Sequence, residues 1–148
     1  MRNSVSAVMA VMVSVLLVAC ATSGPKFSEM TAAMSIAKPD MGRIYFYRTT
    51  VLGAAVQPSV RLNGEVVGKA VPNGFFYVDC PPGNYQVATE TEVERKLTFT
   101  LEAGQVRYVR LNISMGFWVG HVYGELLDEA KGQAEIADLR YTGGAPRP

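Results

Sequence analysis

The chain has 148 residues, of which 49% are hydrophobic and 18% charged, and its formal net charge is +1. That length holds one packed domain and is too short for two ordinary ones, and the apolar content excludes wholesale disorder. There is no basic excess to neutralise phosphates, so nucleic acid is a poor partner.

The first element is an apolar run. Met1-Arg2-Asn3 carries one positive side chain, and Val5 to Ala19 is apolar apart from Ser6 and Ser14. The run falls short of the roughly 20 residues that span a bilayer comfortably. A positive start, a short apolar centre and small residues at its end describe a secretory signal peptide. Leu17-Val18-Ala19-Cys20 resembles the lipobox of bacterial lipoproteins. That resemblance implies cleavage of residues 1–19 and a lipid thioether, with palmitate among the acyl chains, on Cys20. Two or three acyl chains hold a protein firmly where one does not. Ala21 stands where an aspartate commonly retains lipoproteins in the inner membrane, so the resemblance favours the periplasmic face of the outer membrane in a two-membrane source. Cleavage removes Arg2 alone among the charged residues, and the cations then equal the 13 anions. With Cys20 acylated, Cys80 has no partner for an intrachain disulfide and is expected to be a small buried apolar group.

Residues 20–41 read as a lipidated tether and a short helix. Phe27, Met30, Met34 and Ala37 share one helical face, with Ser28 as its cap and Pro39 as its stop. From Gly42 the period becomes two. In "RIYFYRT" Ile44 and Phe46 point one way, Tyr45 and Tyr47 the other. "PSVRLNGEVVGKA" predicts a hairpin turned at Asn63-Gly64, since both residues tolerate the positive φ of a type I′ turn. "GFFYVDC" is a further strand, and Pro81-Pro82-Gly83 predicts a type II turn with Gly83 at positive φ. "NYQVATET", "KLTFTLE" and "QVRYVRLNI" continue the alternation. Ala103-Gly104 turns between the last two. "GELLDEAKGQAEIADLR" predicts a final strand running into a short helix, with Ile136, Leu139 and several alanines facing the sheet. The expectation is a mainly β fold: an antiparallel β-sandwich of about seven strands over residues 42–140, with a short C-terminal helix and a disordered tail over 141–148.

"GRIYFYR", "VRLNGEVVG" and "GFFYVDCPPGNYQV", in this order and spacing, resemble bacterial lipoproteins that carry domain of unknown function 2846. The central block is also similar to surface-layer and transthyretin-like β-sandwich modules. The resemblance runs from about Gly42 to Leu139. It implies a fold, because each Gly, Pro and Asn in these motifs serves a turn, and it implies no catalytic residues.

Candidate chemistry is sparse. His121 in "FWVGHVYG" lacks Cys or carboxylate partners at metal-ligand spacing, and no serine lies in a nucleophile-elbow context. Glu90, Glu92 and Glu94 share a face if residues 84–94 form one strand, which would suit calcium or acid/base work; a solvated hairpin end is the competing reading. Gly116, Gly120 and Gly124 recur every four residues in an apolar stretch half a membrane span long, which reads as a glycine-bent strand or loop. That bend brings Phe117, Trp118 and Tyr123 forward as an aromatic binding patch. No cofactor or metal is expected. The leading expectation is a non-enzymatic, membrane-anchored envelope lipoprotein whose sandwich binds an envelope protein or glycan. A carrier or sensor of a small apolar ligand is the alternative, and an envelope hydrolase ranks last.

Overall fold

The computed structural model describes residues 24–31, 34, 38–116 and 120–143. Nine strands form within them: β1 (Gly42–Arg48), β2 (Ser59–Leu62), β3 (Glu65–Lys69), β4 (Gly74–Cys80), β5 (Gly83–Thr89), β6 (Glu92–Leu101), β7 (Val106–Met115), β8 (Gly120–Leu127) and β9 (Arg140–Tyr141). Two short helices accompany them, α1 (Phe27–Met30) and α2 (Glu129–Ile136). A five-stranded sheet ordered β8-β7-β1-β4-β9 lies over a four-stranded sheet ordered β3-β2-β5-β6. This is the expected β-sandwich with a C-terminal helix. It has nine strands among the described residues where about seven were expected, and it is not wholly antiparallel. β1 pairs in parallel with β7, and β4 with β9.

Alternation builds the inner core. Ile44, Phe46, Val60, Leu62, Phe76, Val78, Val87, Leu101, Val109 and Leu111 close the space between the sheets. Phe46 and Phe76, opposite each other on β1 and β4, stack at 5.0 Å. Cys80 is buried in this layer, as expected of a small apolar group. Asn63 and Gly64 both take positive φ, 50° and 87°, and close the β2–β3 hairpin as the sequence requires.

The other face of β1 is buried too, so that every residue of that strand is buried. Tyr45, Tyr47, Phe75 and Tyr108 form a second layer, covered by Phe27 from the N-terminal side and by Ile136 and Leu139 from the C-terminal side. Phe27 meets Tyr45 and Phe75 edge-on at 5.3 and 5.4 Å, and Tyr45 stacks on Tyr108 at 5.3 Å. Ile136 and Leu139 face the sheet as expected. The alanines do not: Ala130 and Ala134 are exposed, and Gly132 is the small residue that the helix buries against the sheet. A Cβ there would press into the Tyr108 ring, so only glycine lets the helix axis come this close.

Three local expectations are corrected. α1 is capped by Lys26, whose backbone N–H donates to the Glu29 carboxylate at 2.8 Å; Ser28 lies inside the helix. Burying Phe27 sets where the chain turns helical. Of the expected face, Phe27, Met30 and Met34 do pack on the outer layer, while Ala37 lies outside the described residues. Gly83 opens β5 without positive φ. Residues 84–94 are not one strand, because β5 ends at Thr89 and Glu90-Thr91 turn the chain into β6. Residues 24–27 and Tyr141 also belong to the packed body: the Tyr141 N–H donates to the Pro25 carbonyl at 2.9 Å, and that of Phe27 to Leu139 at 2.9 Å. Residues 144–148 lie outside the described residues.

Candidate functional site

Period two carries Arg48 to the inner core, in phase with Ile44 and Phe46, and it is fully buried. Among the described residues its guanidinium hydrogen-bonds to backbone carbonyls only. Nη1 donates to Val56 at 2.7 Å and Ala70 at 3.1 Å, and Nη2 donates to Leu52 at 2.6 Å and Gly53 at 3.1 Å. Nε is buried without a hydrogen bond among the described residues. Burial lowers the basicity of this group. Four carbonyl dipoles stand where a carboxylate would otherwise sit, and the planar fork of donors suits that task.

The clamp shapes the segment over residues 49–58. Turning its carbonyls inward leaves the side chains at its tip outside, with Val51 61% and Leu52 58% exposed, while Val56 packs on the core. Gly53, at φ 65°, lies against Ile113 of β7, which runs on to Met115, itself 64% exposed. Val51, Ala54 and Ala55 form one wall of an open groove of about 700 Å³, and Asp138, Leu139 and Arg140 form the other. That second wall is where the chain enters the body. Arg140 Nη1 donates to the Gly24 carbonyl at 3.0 Å, and Lys26 Nζ pairs with Asp138 at 3.0 Å.

A polar cluster ties α2 to the outer layer. The Tyr47 hydroxyl donates to Glu135 at 2.9 Å, and Arg110 bridges Glu135 at 2.7 Å and Glu125 at 2.8 Å. Asn112 Nδ2 adds a bond to Glu125 at 2.6 Å. Arg110 and then Asn112 hold the Glu125 carboxyl below its usual range. Burial first, and the Glu135 carboxylate second, push the Tyr47 phenol up. Arg43 is satisfied differently, forking onto Asp79 at 2.6 and 2.8 Å with its face 4.2 Å from the Tyr77 ring. Each group has an internal partner, although Arg110 Nε is buried without a hydrogen bond among the described residues.

The residues singled out in the sequence scatter. Cys20, Phe117 and Trp118 lie outside the described residues, as do the side chains of Glu92 and Glu94. Tyr123 is half-buried on β8 with the Arg95 guanidinium 5.1 Å over its ring. Gly120 opens β8 and Gly124 lies within it. His121 turns Nδ1 to the Thr91 carbonyl. Glu90 meets Arg61 and the Ser59 N–H, both at 3.4 Å, at the hairpin end. Arg48 was missed. Its signal was a cation on the apolar phase of a strand, followed by "TTVLGAAVQP" with no acidic residue to pair it.

A curated protein of Haemophilus influenzae, described as an uncharacterized protein, is 28% identical over 131 residues, which cover 86% of this chain and 78% of that protein. No solved structure matches. The family described as "Protein of unknown function (DUF2846)" matches residues 38–124, from the entry to β1 into β8, and the chain belongs to that family.

Proposed function

We propose that the protein is an envelope lipoprotein, held in the membrane by lipid on Cys20, that presents a non-catalytic β-sandwich to another envelope component, protein or glycan. The observation that carries this reading is the spacing at the N-terminus. Leu17-Val18-Ala19-Cys20 ends four residues before Gly24, which the Arg140 side chain already binds to the sandwich. An apolar run, an acylatable cysteine and a folded body thus follow one another with almost no spacer. The non-catalytic part is supported by the side-chain chemistry: the His121 ring is engaged with a backbone carbonyl, and Cys80 is buried. The outer face of the five-stranded sheet is filled by aromatic rings up to α2, which weighs against a carrier pocket in that layer.

Membrane fractionation with mass spectrometry of the N-terminal peptide tests the anchor. The wild-type protein is expected in the membrane fraction with acyl groups on Cys20, and Cys20→Ala is expected to release a folded protein. Retention of Cys20→Ala with residues 1–19 intact would show an uncleaved helix instead. Cross-linking in intact cells then identifies the bound component. Capture unaffected by His121→Ala and Cys80→Ala supports a binding role, and loss of function in either overturns it.

A further inference from the structure

Four large apolar side chains are conspicuously exposed among the described residues: Val51, Leu52, Val66 and Met115. Two of them, Val51 and Leu52, lie on the loop at the end of the sandwich where the chain enters: Val51 lines the groove whose other wall carries Arg140, which binds Gly24. We propose that this end is a membrane-contacting surface, with the 51–55 loop entering the interfacial layer of the bilayer that holds the lipid. The proposal rests on the anchoring through Cys20 given above.

The length of chain before Gly24 argues for lipid as the occupant. Four residue steps from Cys20 to Gly24 span at most about 14 Å fully extended. The headgroup layer of one leaflet is about 5–8 Å thick. A body whose entry point is Gly24 therefore stays within a few ångströms of the membrane surface, and the end bearing Gly24 is the end that meets it. Arg140, exposed beside the entry point, adds a cation at headgroup level. The Asp138 carboxylate at the same place is paired with Lys26, which reduces its repulsion from anionic lipid. The Arg48 clamp holds the loop with Val51 and Leu52 already outward, so contact requires little ordering of the backbone.

The test places a nitroxide on the full-length acylated protein in phosphatidylethanolamine/phosphatidylglycerol vesicles. Leu52→Cys carries the label; Cys20 is occupied by lipid and Cys80 is buried, so the new thiol is the one that reacts. Glu65→Cys, at the β2–β3 turn on the far end of β2, is the reference. The label at residue 52 is expected to collide more with oxygen than with a water-soluble nickel chelate, and the label at residue 65 the reverse. A vesicle-bound, acylated protein whose residue 52 label is as aqueous as that at residue 65 overturns the proposal and leaves the anchor standing. An aqueous label on vesicles that becomes protected only in native envelopes also overturns it, and assigns the loop to a protein partner. Protein without acyl groups that floats free of vesicles removes the anchor and this contact together.

Discussion

Replacing Arg48 by methionine keeps most of the stem volume and deletes the guanidinium. A hydrogen bond to a charged group contributes about 1.5–3 kcal/mol, and desolvating the cation costs several kcal/mol, so the four bonds and the burial largely offset each other. The loss on mutation is therefore set by the acceptors left behind. The Ala70 carbonyl is bonded in a buried setting and stays orphaned, at about 1–3 kcal/mol. The carbonyls of Leu52, Gly53 and Val56 are only partly buried and regain water if the loop opens. Arg48→Met is thus expected to lose about 1–3 kcal/mol of global stability, with faster amide exchange over residues 50–58 than in β1 or β4. For a domain of this size that is a fall of up to roughly 10 °C in Tm. Arg48→Lys is expected to recover only part of it, because a compact ammonium cannot span four carbonyls. Urea unfolding and hydrogen exchange read both quantities. A loss below about 0.5 kcal/mol with unchanged exchange in the loop would refute the clamp.

Two further outcomes follow from the outer layer. Gly132→Ala in an unpacked helix would gain about 1 kcal/mol from helix propensity, but here the methyl meets the Tyr108 ring, so a net loss within the roughly 1–3 kcal/mol cost of overpacking is expected in urea unfolding; a net gain would mean that α2 shifts freely. Stability should also vary with pH at both extremes. The folded Glu125 carboxyl is depressed, so its contribution is full above its unfolded value near ~4.3 and disappears as pH falls through the folded value. Tyr47 is raised, so its contribution is full below its unfolded value near ~10 and disappears as pH rises through the folded value. Glu125→Gln is expected to flatten the acid limb and Tyr47→Phe the alkaline limb of a Tm-against-pH curve; unaltered limbs would deny the Arg110–Glu125 and Tyr47–Glu135 bonds any such part.

Features written in neighbouring residues were legible in advance. Alternation placed Ile44, Phe46, Val60, Leu62 and Leu101 inside, Asn63-Gly64 announced its turn, and Ile136 and Leu139 marked the packed face of the last helix. These are short-range matters of strand period, positive φ and helical spacing, so the sequence by itself determined a β-sandwich with a C-terminal helix. Tertiary structure alone decided what lies opposite each face. Tyr45 and Tyr47 read as the other side of a strand whether water or Ile136 covers them, and the covering residue is about 90 positions away in the chain. The parallel pairing of β1 with β7 and the two-residue β9 are likewise long-range choices without a local signature. Arg48 shows the division most clearly. Its phase pointed it inward, but whether a buried cation is tolerable depends on its surroundings, and four backbone carbonyls from residues 52, 53, 56 and 70 reach it only once the loop has closed around it.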